Sequence, residues 1–314
     1  MVENSSGMAA LVRTERGVEL LRMERPAPLP ANHVRVRIER AGLCRTDLNV
    51  ASGRLRCEWP RVLGHEVAGI VSELGARAAR VRLGQRVTVN PLLPCLRCAE
   101  CARGEVCEAP RMLGVDQDGG FSEELVLPES AVFPVPDSMS FERAAYVEPV
   151  AAAMAVLDCP LDREGAGLIV GSGRIAELTR RVLLAQGFPS PHVVASEGAG
   201  PQRGFAWAID TVGTTESLAL ASRALRQRGL LVLKSRPAEL AGLDIRFAVE
   251  RELVLRAVRY APFEHAIELL ASPRFEVEDL FGGTYPLAEF ERVFAEAARS
   301  EGSKLFFALD AGSR

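Results

Sequence analysis

The chain has 314 residues, of which 48% are hydrophobic and 25% are charged, and its formal net charge is −3. This length predicts about two domains, and the charge excludes the basic field that a nucleic-acid partner requires. No apolar run reaches the length of a membrane span, about eighteen residues, and the short polar segment 1–7 predicts neither a signal nor a transit peptide. We therefore expect a cytoplasmic globular protein without nucleic-acid or membrane partners.

The first half of the chain predicts mainly short β-strands. Its apolar segments alternate or are rich in β-branched residues, and Pro- and Gly-containing turns separate them. Residues 140–158 are rich in alanine and predict a helix that breaks near Pro149. The predicted strands cover residues 8–13, 33–40, 67–74, 85–89, 125–127 and 131–135.

Four cysteines follow the fourth predicted strand with the spacing C-x2-C-x2-C-x5-C. This spacing lets four thiolates face one centre, where they fill the coordination sphere of a tetrahedral Zn²⁺ and leave no position for water or substrate. We therefore predict a structural zinc. Disulfides or buried thiols are the alternative, and the reducing compartment expected for this chain argues against disulfides. The four residues are Cys95, Cys98, Cys101 and Cys107.

A second set of potential zinc ligands is spread along the chain. Cys44 and His65 lie in separate turns, and each of them alone is weak evidence. Glu148 adds a carboxylate, and a thiolate, an imidazole and a carboxylate with one open position are the ligands of a catalytic zinc. Glu66 is either a further ligand or an outer partner that orients the site.

The second half opens with a strand, a glycine turn and a helix. Residues 167–170 are apolar, and a G-x-G-x-x-A pattern leads into a helix over 177–186, which favours a pyrophosphate at the helix N-terminus. Glu197 ends the next predicted strand, where a carboxylate can bind a ribose hydroxyl, and a plain loop glutamate is the alternative. The candidate dinucleotide-binding residues are Gly171, Gly173, Arg174, Ile175, Glu197, Val212 and Gly213.

Together these motifs resemble the zinc-containing medium-chain alcohol dehydrogenase superfamily, in an alcohol-dehydrogenase-like branch rather than the liver-type enzymes. The resemblance covers nearly the whole chain. It implies an α/β fold with an all-β-rich GroES-like catalytic domain over 1–147, a structural-zinc lobe at 94–108, a Rossmann cofactor domain over 148–271 and a return to the catalytic domain over 272–314. The motifs are AGLCRTD at 41–47, GHEVAG at 64–69, the cysteine quartet, GGF at 119–121, Glu148-Pro149 and Gly171-x-Gly173.

The resemblance also implies a reaction and its cofactors. Two zinc ions are expected, one structural and one catalytic at Cys44, His65 and Glu148, with Thr46 relaying the proton of the alcohol. The implied reaction is hydride transfer between NAD(P) and a small alcohol or polyol, or the matching aldehyde or ketone. Glu197 favours NAD over NADP because a carboxylate repels a 2′-phosphate, although Arg203 in the following loop would oppose this preference.

Three departures from the family pattern favour an alternative function. Asn49 stands where a relay histidine is usual, and the last spacing of the quartet is x5 instead of x7. Only eight residues separate the predicted strands 192–196 and 205–210, too few for a helix. We therefore predict a truncated Rossmann-type parallel sheet with the strand before Glu197 at its edge, which leaves homo-oligomerisation open. The alternative is a zinc-binding protein of this fold with impaired dinucleotide binding, which catalyses a non-redox step or acts non-enzymatically.

Overall fold

The structure is a computed structural model that describes residues 7–26, 28–103, 106–196, 200–237, 239–300 and 302–309. Its contacts divide the chain into two compact units. Unit 1 comprises Met1–Glu148 and Glu278–Arg314, and unit 2 comprises Pro149–Val277. None of the helices in these ranges is long and apolar enough to cross a membrane.

Unit 1 is built mainly from strands, as the alternating apolar pattern predicts. Three of its strands form a small sheet in the order β2-β1-β4, seven form the main sheet, and β7 pairs with β8. The elements are β1 (Met8–Thr14), β2 (Gly17–Met23), β3 (His33–Gly42), α1 (Arg45–Ala51), β4 (Arg61–Val62), β5 (Glu66–Leu74), β6 (Arg86–Val89), β7 (Leu92–Leu93), α2 (Ala99–Ala102), β8 (Arg111–Met112), β9 (Glu124–Pro128), β10 (Val132–Pro134) and α3 (Phe141–Ala145), then α4 (Val147–Met154) across the unit boundary.

The main sheet has the order β10-β6-β5-β3-β17-β16, with β9 also paired to β3. Its last two strands come from the returning C-terminal segment, which contains β16 (Phe281–Pro286), α9 (Phe290–Arg299) and β17 (Lys304–Ala308). Strand β3 is antiparallel to both β5 and β17, and Gly42 at its end lies opposite both Glu66 and Phe306. This register brings the start of β5 and the start of β17 to the same end of β3.

Unit 2 is a five-stranded parallel sheet in the order β12-β11-β13-β14-β15, with helices between the strands. Its strands are apolar because a parallel sheet is covered on both faces. Within the described ranges β12 is an edge strand, which confirms the predicted truncation. The elements are β11 (Gly167–Val170), α5 (Arg174–Ala185), β12 (His192–Val194), β13 (Phe205–Asp210), α6 (Thr215–Ala224), β14 (Leu225–Leu233), α7 (Ile245–Glu250), β15 (Val254–Ala257) and α8 (Phe263–Ala271).

Two details differ from the sequence expectations. The alanine-rich helix breaks at Tyr146, the C-cap of α3, whereas Pro149 lies in the first turn of α4, where a missing N–H costs no helical hydrogen bond. Residues 272–277, expected to return to the catalytic domain, belong to unit 2. Arg181 on α5 donates to the Glu276 carbonyl at 2.9 Å, and Val277 is fully buried, so this segment is held by unit 2.

Strand β2 was not predicted. Its side chains are mostly half-buried and it carries few β-branched residues, so its own sequence is a weak signal. Pairing along the whole of β1, from Met8 opposite Met23 to Thr14 opposite Gly17, makes it a strand.

Candidate functional site

Cys44, His65 and Glu66 meet at the end of β3. Cys44 lies two residues after the end of β3 and is the N-cap of α1. His65 directly precedes β5, and Glu66 is the first residue of that strand. One ligand atom from each lies within 4.8 Å of the other two. His65 and Glu66 are buried, and Cys44 is half-buried. The β3–β5 register therefore assembles the three residues from turns twenty-one positions apart in sequence.

Asp47 fixes both turns of this site. Its carboxylate accepts a hydrogen bond from the Cys44 backbone N–H at 2.9 Å and one from the Gly64 N–H at 3.1 Å. The same carboxylate lies 3.3 Å from His65 Nδ1 and is 1% exposed. Sequence reasoning missed this role, although an acid three residues after an N-cap is a recognised capping signal.

The surroundings of His65 are negatively charged and favour a cation. Burial disfavours the imidazolium, but the Asp47 carboxylate and the Cys44 thiol outweigh burial and raise the pKa of His65 well above its ordinary value of 6.5. Its Nε2 is buried and has no hydrogen-bond partner in the part of the chain that the structure describes. A buried nitrogen without a donor or acceptor is costly, and a zinc ion held jointly with the Cys44 thiolate would satisfy it.

Lys304 completes the surroundings of Glu66, and sequence reasoning missed it. Its Nζ donates to both carboxylate oxygens of Glu66 and to the Leu43 carbonyl, the latter at 3.1 Å. Both charged side chains are 1% exposed. Gly42 leaves the necessary space, since a Cβ there would lie 2.3 Å from Glu66 Oε2.

The other two residues predicted for the catalytic zinc site occupy different positions. Thr46 lies in the first turn of α1, and its hydroxyl is 3.9 Å from the Cys44 sulfur. Glu148 lies in the first turn of α4 and is 4% exposed, but it is outside the group formed by Cys44, His65 and Glu66. Its role as a ligand therefore stays a prediction.

The cysteine quartet forms a second group within 4.8 Å. The Cys95–Cys101 and Cys98–Cys107 sulfurs are each 3.9 Å apart, close to the roughly 3.8 Å expected between sulfurs 2.3 Å from a tetrahedral zinc. All four thiols are free. Backbone N–H groups of Arg97 and Cys98 lower the pKa of Cys95 to about 6, whereas desolvation and neighbouring thiols raise that of Cys101 to about 12. These thiols fit a structural zinc, which binds the deprotonated form.

The glycine turn of unit 2 lies between β11 and α5. Gly171 has a φ of +131°, and a Cβ there would lie 2.2 Å from Thr211 Oγ1, so only glycine suits this position. Gly173 is the N-cap of α5, whose first helical residues are Arg174 and Ile175. The first turn of an α-helix has N–H groups without intrahelical acceptors, and such groups suit a phosphate.

The second predicted loop lies beside this turn at the carboxyl end of β13. The buried Asp210 carboxylate accepts a hydrogen bond from the Ser235 hydroxyl at 3.1 Å and a longer one from the Val212 N–H at 3.4 Å. Burial raises the pKa of Asp210. Gly213 has a φ of +83°, and a Cβ there would lie 2.5 Å from Ser235 Oγ. Asp210 thus ties together the loops that follow β13 and β14.

Two residues were considered for ribose specificity, and the structure describes only Arg203. Glu197 lies outside the described residues. Arg203 precedes β13, donates to the Arg223 carbonyl and stacks on Phe247. It therefore lies at the amino end of the parallel strands, whereas the glycine turn is at the carboxyl end. A strand of six residues spans about 20 Å, which separates Arg203 from the end of the sheet that carries the glycine turn.

Replacing Asp47 with asparagine is expected to weaken the metal site without removing a ligand. The amide keeps one acceptor oxygen but loses the negative charge beside His65, and outer-shell changes of this kind cost roughly 10- to 100-fold in metal affinity. Zinc affinity measured by chelator competition checks this. Asp118→Asn serves as the control. The Asp118 carboxylate also accepts a hydrogen bond from a backbone N–H, that of Val62, but it lies outside the metal group. Unchanged zinc affinity in Asp47→Asn would contradict the assigned role.

Comparison with known proteins finds relatives of the domain that carries this site. Residues 30–137 match the alcohol dehydrogenase GroES-like domain. The L-galactonate-5-dehydrogenase of Escherichia coli K12 is 37% identical over 162 residues, which cover 50% of this chain and 47% of that protein. The chain thus spans about half the length of this and another curated relative that it matches.

Solved structures match over the full length. A zinc-binding dehydrogenase from Sinorhizobium meliloti 1021 bound to NADP has a TM-score of 0.84 at 23% identity, covering 97% of this chain and 100% of that one. The rspB alcohol dehydrogenase of E. coli CFT073 complexed with NADH has a TM-score of 0.84 at 22% identity, with the same coverage. At this identity these two structures show the fold. With the domain match, they show that the chain contains an alcohol dehydrogenase GroES-like domain over residues 30–137 and has the fold of these two dehydrogenases.

Proposed function

We propose that the protein is a zinc-dependent alcohol dehydrogenase-like oxidoreductase that transfers hydride between NAD(P) and a small polyol, sugar acid or other secondary alcohol. The observation that carries the proposal is the convergence of Cys44 and His65, with a buried, unpartnered Nε2, beside a buried carboxylate. The L-galactonate-5-dehydrogenase similarity supports the substrate class. A cytoplasmic setting suits the seven free thiols, since a reducing compartment keeps them available for zinc.

Different residues of this chain would have different roles in the reaction. Cys44, His65 and Glu148 would hold the catalytic zinc, and the quartet would hold the structural one. Bound in this way, zinc supplies a Lewis acid that lowers the pKa of an alcohol oxygen, and the nicotinamide supplies a hydride acceptor. The Thr46 hydroxyl, 3.9 Å from the Cys44 sulfur, would act as a relay that accepts a hydrogen bond from that alcohol and passes its own proton on. Asn49 cannot titrate, so the proton leaves through water or another group.

The dinucleotide would be held by unit 2. Gly171 and Gly173 allow the pyrophosphate to approach the first turn of α5, and Val212 and Gly213 line the neighbouring loop. We favour NAD over NADP because Arg203 lies at the opposite end of the sheet and Glu197 follows the strand where the adenosine ribose would bind.

The first test is a titration of zinc-replete protein with NADH and NADPH, followed by nicotinamide fluorescence. Micromolar binding, tighter for NADH, is expected, and polyols and sugar acids should then give turnover at 340 nm. Binding of neither dinucleotide at millimolar concentration would favour the non-redox alternative, whose support is the edge position of β12 in the shortened sheet. Homo-oligomerisation stays a prediction that sedimentation would test in the same samples.

Replacing Gly171 with valine is expected to abolish dinucleotide binding while leaving both metal sites intact. A Cβ at this positive φ meets Thr211, so the turn must move away from the position that receives the pyrophosphate. We expect NADH affinity to fall at least about a hundredfold, more than 2.7 kcal/mol. Gly187→Val is the matched control, because Gly187 also has a positive φ, +77°, but has no neighbouring atom within 4 Å of the added Cβ. Equal NADH affinity in both variants would contradict this role of the turn.

A further inference from the structure

Lys304 is buried at the metal group, and nothing in the expected chemistry uses it. Its Nζ contacts both oxygens of Glu66 and the carbonyl of Leu43, the residue before Cys44. The contact joins residues 238 positions apart. Strand pairing enforces it, because Leu43 N–H donates to the Leu305 carbonyl at 2.9 Å where β17 meets the end of β3. Strand pairing therefore holds the backbone of Lys304 beside the site.

The charges of the site show why this contact matters. A zinc ion with one thiolate and one carboxylate ligand is formally neutral, and Glu66 with Lys304 is a second neutral pair. If the Glu66 carboxylate bound the metal, the Lys304 ammonium, which is 1% exposed, would lose its counter-charge. Leaving one member of a buried ion pair without its partner is strongly unfavourable. The lysine thus competes with the metal for Glu66.

We propose that Lys304 is a positioning residue that holds Glu66 outside the coordination sphere, so that Glu148 is the carboxylate ligand of the catalytic zinc. Glu66 lies near enough to Cys44 and His65 to serve as a ligand. Its carboxylate is instead paired with the Lys304 ammonium. This inference rests on the catalytic metal site of the proposed function. It identifies the residue that decides whether Glu66 or Glu148 binds that metal.

The test compares zinc affinity among full-length variants by chelator competition. The quartet is unchanged in all of them, so the zinc that it binds serves as the same first equivalent in every titration. Glu148→Gln should lower affinity for the second equivalent at least about a hundredfold, beyond the range of outer-shell changes. Adding Lys304→Met to Glu148→Gln should recover at least tenfold of that loss, because the released Glu66 becomes a ligand. Methionine matches the length of the lysine stem and keeps the site packed.

Two further variants control for charge and for folding. Glu66→Gln combined with Lys304→Met removes the ion pair as a unit and should bind zinc within about threefold of the original protein. Lys304→Arg keeps the pairing charge and should behave like the original protein. The visible d–d spectrum of the Co²⁺-loaded protein should change for Glu148→Gln with Lys304→Met and stay unchanged for Lys304→Arg. Far-UV circular dichroism, together with retention of the zinc equivalent bound by the quartet, reports that unit 1 is folded in every variant.

Either of two outcomes would overturn the inference. One is a loss of the second zinc in Glu66→Gln with Lys304→Met that is as large as in Glu148→Gln, since Glu66 would then be a ligand. The other is no recovery when Lys304→Met is added to Glu148→Gln. Failure of the proposed function would look different, because the unaltered chain itself would then bind only one zinc or show no alcohol-dependent turnover.

Discussion

Replacing Cys44 with serine is expected to remove one of two bound zinc ions and to lower turnover with any alcohol at least about a thousandfold. Serine is a favoured N-cap residue, so α1 should keep its start after β3. The hydroxyl, in contrast, is a poor zinc ligand where a thiolate is required. Loss of Lewis-acid stabilisation worth several kcal/mol corresponds to a rate loss of this size at about 1.4 kcal/mol per tenfold.

Metal analysis and single-turnover hydride transfer measure this expectation separately. Zinc content should fall from two equivalents to one, while NADH affinity stays unchanged because the glycine turn belongs to unit 2. Cys57→Ser is the matched control, since Cys57 is also a half-buried thiol of unit 1 but lies outside both ligand groups. Normal turnover in a Cys44→Ser protein that has lost one zinc ion would exclude the metal site as the catalytic centre, and full zinc content would contradict the role of Cys44 as a ligand.

The sequence allows the local parts of this molecule to be predicted, because their signals are short in range. The quartet lies within thirteen residues, so its spacing alone predicts a shared centre. The turn at Gly171 is likewise flanked directly by its strand and helix. The eight-residue connection before Phe205 predicts a missing strand because chain length limits what a loop can contain. In the described ranges β12 is indeed at the sheet edge.

The partners of the catalytic residues could not be predicted in the same way. Lys304 reaches Glu66 only through the pairing of β17 with β3, and no local pattern specifies that register. The sequence contains Asp47 but does not show that its carboxylate accepts a hydrogen bond from the Gly64 N–H, because that contact depends on how two turns pack. The break at Tyr146 shows the same limit on a smaller scale: proline position is a boundary signal only to within a few residues.

The lobe formed by residues 94–108 is expected to depend on its zinc more than any other part of unit 1. Its helix α2 has no buried residue. Leu96 is 56% exposed and Val106 is 89% exposed, so the lobe has little apolar surface to bury. A segment without a core gains its stability from metal binding, and in small zinc domains that binding is worth about 10–16 kcal/mol.

Cys98→Ser should therefore open this lobe. Serine keeps the N-cap of α2, whose side chain accepts from the Cys101 N–H, but it removes one of four thiolates. We expect zinc content to fall from two equivalents to one and the melting temperature to fall by about 5–10 °C, the shift that a loss of roughly 3–4 kcal/mol of ligand stabilisation produces. Trypsin should cut at the exposed Arg97 and at Arg103, which the intact quartet would protect.

The contrast with Cys44→Ser separates the two zinc sites. Both variants lose one equivalent of metal, but only Cys98→Ser should become sensitive to trypsin at the lobe, and only Cys44→Ser should lose the chemical step under conditions where the protein stays folded. Excess zinc should partly restore the trypsin resistance of Cys98→Ser, because three thiolates remain. A Cys98→Ser protein that keeps two zinc ions and resists trypsin would show that the Cys98 thiolate is not needed to bind the metal, and would contradict this prediction.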